Sequence, residues 1–195
     1  MKRFKKILLV SRESTGARAT LARAVELAKR NRARLTLIEV VEELPRELLA
    51  LITTATPREL RKLAIKERKE RLEALVAPLL EDGVRATAVV RYGTPFLEII
   101  REVLRKKIDL VILTAEGRGG LKERLFGSTS LHLMRKCPCP VWVMKPSRSP
   151  RYSRILAAVD PCSSDPEGTA LDVKILDLAT SLARLEKSLL HVVHV

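Results

Sequence analysis

The sequence predicts an α/β fold: a doubly wound, five-stranded parallel sheet with helices on both faces, followed by a partial β-α-β repeat. Three observations predict it. Short continuous apolar runs, of the kind that become strands buried on both faces, recur along the 195 residues. Segments with helical apolar spacing alternate with them, which is the pattern of a parallel sheet joined by crossover helices. The opening pattern then begins again at Arg154.

Ile7-Leu8-Leu9-Val10 is strand one. Residues 17–31 follow as a helix, with Leu21, Ala24, Val25, Leu27 and Ala28 at helical spacing. Leu35, Leu37, Ile38, Val40 and Val41 make strand two. Thr56-Pro57-Arg58-Glu59 reads as a helix start: Thr caps, Pro suits the first turn, and Glu three residues on can reach back to the cap. That helix is expected to run to about Leu80, with Pro78 kinking or ending it and Asp82-Gly83 closing it. Val84 to Val90 is strand three. Gly93-Thr94-Pro95 opens a helix carrying Phe96, Leu97, Ile99, Ile100, Val103 and Leu104. Leu110 to Leu113 is strand four, residues 122–135 a helix, and Val141 to Met144 strand five.

Composition narrows the function classes. Apolar residues make up 46% and charged residues 31%, which suits a globular protein with a proper core. No apolar run reaches the roughly 18–20 residues that a membrane span needs, and the apolar stretch behind Met1-Lys2-Arg3-Phe4-Lys5-Lys6 is too short for a signal-peptide core. The expectation is a cytoplasmic protein without membrane contact. Three cysteines, Cys137, Cys139 and Cys162, argue against a disulfide framework. Cys137-Pro138-Cys139 lacks the two-residue spacing of a redox or zinc pair, so both read as strand cysteines.

The net charge of +14 is uneven. Residues 151–195 hold five of the 37 basic and six of the 23 acidic groups, leaving 32 and 17, or +15, in residues 1–150. Such a field attracts polyanions, nucleic acid included. Aromatics, however, are only 3%, which leaves little for base stacking. The basic residues also mix with Glu, as in Lys66-Glu67-Arg68-Lys69-Glu70-Arg71. A solvated helix face is therefore preferred to a nucleic-acid surface.

Residues 114–129, from Thr114 through Gly117 and Gly127 to Ser128 and Thr129, say most about function. They follow strand four directly. A strand, a glycine-rich loop and then a helix start points backbone amides and hydroxyls at a phosphate. A nucleotide is the ligand this suggests. In open parallel sheets ligands sit beyond the carboxyl ends of the strands, where the winding reverses. With strand one central and strand four beside it, Ser11-Arg12 and the loop from Thr114 to Gly119 line that crevice.

Residues 154–195 repeat the start. Arg154 to Asp160 echoes Lys6 to Arg12, Ile175 to Ala179 echoes Val25 to Ala28, and Val192 to Val195 matches Leu37 to Val40. The expected organisation is a domain over residues 1–146, a linker over 147–153 and a truncated second repeat over 154–195. A unit of that size buries too little to form a core alone.

Gly117-x9-Gly127-Ser128, Gly93-Thr94-Pro95 before a helix, and Cys139-Pro140-Val141-Trp142-Val143, taken in this order of elements, resemble the universal stress protein family. With the basic residues before Cys137-Pro138 and the repeat, the likeness is to the tandem UspE-type members. The resemblance implies strand order 3-2-1-4-5 and ATP or AMP at the ends of strands one and four. It implies phosphate contacts from Gly117, Gly127, Ser128 and Thr129. Backbone near Val40 would meet the adenine, and Val10, Ser11 and Arg12 would flank the nucleotide. It also implies a homodimer through Val141 to Met144.

Two positions depart from the family pattern. Thr114 stands where nucleotide-binding members have glycine, adding a side chain at a close approach. Arg12 stands where they carry an acid; it would repel Mg²⁺, so no metal is expected there, and could neutralise phosphate directly. The second repeat keeps the acid as Asp160 but lacks the glycine loop. Two readings stay open: a stress protein binding adenine nucleotide, and a dimerising interaction protein that acts without one. No catalytic constellation appears, and His132, His191 and His194 do not form a metal set, so at most slow ATP hydrolysis is expected.

Overall fold

The computed structural model describes residues 4–14, 16–43, 56–115, 123–145, 152–162 and 165–194. The chain divides into two compact units, residues 2–146 and 147–195, and each is described by itself.

In the larger unit β1 (Lys6–Val10), α1 (Ala17–Asn31), β2 (Arg34–Val41), α2 (Pro57–Glu81), β3 (Arg85–Tyr92), α3 (Pro95–Lys106), β4 (Leu110–Thr114), α4 (Glu123–Lys136) and β5 (Val141–Met144) follow in order. The strands form one five-stranded sheet in the order β3-β2-β1-β4-β5. Every pairing is parallel, with Val10 opposite Ile38 on one side and Leu113 on the other. Alternation along the strands sends successive side chains to opposite faces. Leu8, Val10, Ile38, Val111 and Leu113 meet Ile99 and Val103 of α3 and Leu133 of α4 in one cluster. Ile7, Leu9, Leu35, Leu37 and Ile112 are buried as well, on the face covered by α1 and α2. Burial on both faces explains why these strands read as unbroken apolar runs.

Local chemistry sets the helix ends. At α2 the Thr56 hydroxyl accepts from the Glu59 amide at 3.3 Å, and the Glu59 carboxylate accepts from the Thr56 amide at 2.9 Å. The helix continues through Pro78 to Glu81 rather than ending there. Proline so near a C-terminus removes only one interior bond, and Gly83 at φ 75° then stops the helix. α4 is broken where the sequence suggests continuity, at Gly127. Cys137 and Cys139 lie in the turn between α4 and β5, not in a strand, because Pro138 and Pro140 withhold donors from the ladder.

The smaller unit is β6 (Arg154–Val159), α5 (Pro166–Glu186) and β7 (Leu189–His194). β6 and β7 pair in parallel as a two-stranded sheet. The strand begins at Leu189, which the match of Val192 to Leu37 makes the counterpart of Arg34 at the start of β2, after helix α5 ends at Glu186 with Lys187 in the left-handed region. Ala157, Val159, Ala179 and Ala183 are buried, whereas Leu156, Leu171 and Leu189 stay exposed. No described helix is long and apolar enough to cross a membrane.

Candidate functional site

The ends of β1 and β4 lie side by side at the centre of the sheet, where the chain winds one way to β2 and the other way to β4. Crevices form at such reversals because the two following loops diverge to opposite faces. After β1 the Ser11 amide is still held by the Ile38 carbonyl at 2.8 Å. Gly16 then turns the chain at φ 97°, and its carbonyl accepts from the Thr20 amide and hydroxyl at 3.0 and 3.1 Å. After β4 the Ala115 amide bonds the Met144 carbonyl at 2.7 Å.

Gly127 has φ 71° and ψ 157°. Only glycine adopts this conformation without strain. It lets α4 restart, with Ser130 and Leu133 buried on its inner side. The restarted segment points its N-terminal end toward β1 and β4: Val10, Arg12, Thr114, Gly127 and Thr129 line one hollow with Ser14 and Ser130. The Ser14 hydroxyl is buried there with no hydrogen-bond partner among the described residues. A neighbouring hollow of about 230 Å³ on the α1 side is lined by Ser11, Arg12, Thr20, Arg71 and Thr114 among others.

Five of the nine residues proposed from the sequence thus share the first hollow, and Ser11 lines the second. Val40 lines neither and packs against the core on the α3 face. Ser128 is exposed outside both hollows. Gly117 lies outside the described residues. Sequence reasoning missed Ser14 and Ser130. Ser14 stands two residues after Arg12 and Ser130 continues Gly127-Ser128-Thr129, but only their burial beside the hollow distinguishes them from other hydroxyls.

The two departures have clear surroundings. Thr114 donates its hydroxyl to the Thr20 hydroxyl at 2.9 Å, so its side chain turns toward α1 and away from α4. The Arg12 guanidinium stands 3.5 Å from the Glu42 carboxylate, with both side chains largely exposed. Such a pair contributes about 0–1 kcal/mol and gives way readily to a better anion. Behind them buried Glu39 is paired by Arg68 at 3.3 Å and by Arg71, which also holds Glu13. The Arg71 guanidinium is drawn away from solvent, which by itself favours the neutral form, yet its two carboxylate partners raise its pKa. No group of three His, Cys, Asp or Glu stands close enough to hold a metal ion among the described residues.

A doubly wound parallel sheet with a hydroxyl- and glycine-lined hollow at its winding reversal defines an α/β protein of the open-sheet class. The model of the universal stress protein family matches residues 3–145, and the chain belongs to that family. Universal stress protein E of Salmonella typhi is 29% identical over 184 residues, 94% of this chain and 58% of its own length. The chain therefore spans little more than half the length of the curated relatives it matches first. A functionally unknown protein of Pseudomonas aeruginosa PAO1 shares the fold at TM-score 0.72 and 24% identity, over 98% of this chain and 60% of that one. A universal stress protein solved in complex with cAMP shares it at TM-score 0.52 and 16% identity, over 74% of this chain and 98% of that one.

Proposed function

We propose that the larger unit binds an adenine nucleotide, ATP or AMP, without a metal ion, as a cytoplasmic stress-response protein. The observation that carries this reading is the hollow at the ends of β1 and β4, where a buried Ser14 hydroxyl beside Gly127 and Arg12 has no partner among the described residues. An unpartnered buried hydroxyl costs stability unless something bonds to it. In this reading the amides from Gly127 to Thr129 and the hydroxyls of Ser128 and Thr129 receive the phosphates, together with Gly117. Arg12 leaves exposed Glu42 and presents its planar fork to phosphate, taking the charge-neutralising role a cation would otherwise have. Val10 and Ser11 flank the nucleotide, backbone near Val40 meets the base, and Thr114, turned to Thr20, leaves the approach open. That a universal stress protein of the same fold was solved with cAMP supports a nucleotide as the ligand class.

Titration calorimetry with ATP and AMP, each with and without magnesium, tests it. Binding that magnesium does not strengthen, and that Gly127→Val abolishes, is the expected result. Absence of heat at millimolar nucleotide ends the reading. Dedicated catalysis is not proposed; a turnover assay comparing the wild type with Ser128→Ala tests this, and fast turnover lost in the variant would reverse it.

The second reading, a dimer that works without nucleotide, is favoured by the outer edge of β5. Pro140 and Met144 direct their carbonyls to β4, so Val141 and Val143 direct their backbone groups outward, where a second copy can pair. Mass measurement with and without ATP separates the two readings. Residues 154–195 are proposed as a partial second repeat, with 147–153 as linker. Nucleic acid is not proposed as a partner; a salt-dependent gel shift would reverse that.

A further inference from the structure

The spacing of Cys137 and Cys139 suggests inert residues, yet the fold brings their sulfurs together. Cys137 is the first residue after α4, its amide still bonded to the Leu133 carbonyl at 2.9 Å. Pro140, just after Cys139, gives its carbonyl to the Val111 amide at 3.0 Å. With the turn anchored at both ends, the two Sγ atoms stand 3.6 Å apart. Both side chains are half-buried, while Cys162 is exposed. A disulfide needs about 2.0 Å between sulfurs, so side-chain rotation must close the remaining gap of about 1.6 Å.

We propose that Cys137 and Cys139 form a hydroperoxide-oxidised dithiol site, with Cys137 as the attacking sulfur and Cys139 as the resolving one. In the first step the Cys137 thiolate bonds to one oxygen of hydrogen peroxide, the O–O bond breaks, and the departing hydroxide is protonated to water. In the second the Cys139 sulfur bonds to the Cys137 sulfenic sulfur, the S–O bond breaks, and the hydroxide leaves as water with the Cys139 proton. The two sulfurs together lose two electrons and the peroxide becomes two waters.

The surroundings separate the two roles. The Cys137 thiol is lowered to about 7, first because Cys139 donates a hydrogen bond to its sulfur, against burial and with help from the Cys139 amide. Cys139 is pushed up, chiefly by giving that hydrogen bond, then by burial, by the Cys137 charge and by Asp109. Asp109 is itself held by the Lys5 and Lys6 amides at 2.7 and 3.1 Å. The carbonyl end of α4 works against a thiolate at Cys137, so the hydrogen bond from Cys139 has to outweigh it. A low-pKa sulfur next to a protonated partner is the arrangement that peroxide chemistry requires.

The full chain is treated with equimolar hydrogen peroxide, blocked at remaining thiols and digested with trypsin, which leaves both cysteines on the peptide that begins at Cys137. Loss of two hydrogens from that peptide, restored by dithiothreitol and faster than any change at Cys162, is expected. In Cys139→Ser the reaction stops at a sulfenic acid that dimedone traps on Cys137. In Cys137→Ser the remaining thiol of the pair reacts roughly tenfold slower or more. Iodoacetamide labelling of Cys137 in the wild type rises with a midpoint near pH 7, and the midpoint moves up in Cys139→Ala, which removes the donor. A disulfide to Cys162 or between copies, sulfinic acid at Cys137 without a disulfide, or equal oxidation rates for the two serine variants overturns the proposal. The wild-type peptide alone decides the disulfide, should either variant fold poorly.

Discussion

At φ 71° and ψ 157°, Gly127 occupies a backbone region that any side chain strains. Replacing it by alanine is expected to destabilise the protein by about 1–3 kcal/mol, measured by urea unfolding; an unchanged midpoint would mean that the loop has another conformation. Glu102 is a second residue whose surroundings fix a prediction. It is 1% exposed, accepts from Arg91 Nε and Nη2 at 3.2 and 2.9 Å, and also meets Arg105. Removing a buried partner commonly costs about 3–5 kcal/mol. Arg91 and Arg105 are partly exposed and regain water, so Glu102→Ala should cost less, about 2 kcal/mol. A urea midpoint equal to that of the wild type would show that this cluster contributes nothing. Arg12→Ala tests the site without touching the core: nucleotide affinity should fall about tenfold or more, the value of one charge-assisted hydrogen bond, and the residual binding should depend less on salt.

Individual elements carry their own expectations. The Glu59 carboxyl lies below its ordinary 4.5 because the Thr56 hydroxyl and then the Thr56 amide donate to it. A depressed folded pKa contributes stability that is present above the ordinary value and lost as pH falls through the lowered one. The start of α2 should therefore fray progressively below about pH 4.5, and Glu59→Gln should flatten that dependence when amide exchange near residue 60 is followed. At β5 the backbone of Val143 points away from β4, so Val143→Pro removes an outward donor while sparing the ladder. Light scattering should then show a monomer with unchanged far-ultraviolet dichroism. A dimer surviving this change would place the contact elsewhere.

On the scale of the molecule, all five strands of the large sheet pair within residues 2–146. A chain ended after Pro146 is thus expected to unfold cooperatively in urea, and loss of cooperativity would show that its core depends on the remainder. The smaller unit should not fold by itself, since a two-stranded sheet leaves Leu156 at 69% and Leu189 at 65% exposed. The net charge of +14 bears on ligand capture rather than on fold. It should speed the association of a nucleotide polyanion at low ionic strength and lose that advantage as salt rises.

Much of this architecture is written in one dimension. Continuous apolar runs, the Thr56-Pro57-Arg58-Glu59 start and Asp82-Gly83 determine the elements, because capping and two-sided burial are local or compositional demands. The break of α4 at Gly127 was not legible, since a glycine inside a helical pattern is often tolerated without ending the helix. For the site, Val10, Arg12, Thr114, Gly127 and Thr129 could be named from the glycine loop and the family resemblance, whereas Ser14 and Ser130 could not. Only the tertiary structure decided which hydroxyls are buried, that Thr114 turns to Thr20, and that two cysteines one residue apart touch through sulfur. Those facts depend on side-chain direction and on segments distant in the chain meeting at the sheet's centre, and periodicity carries no record of either.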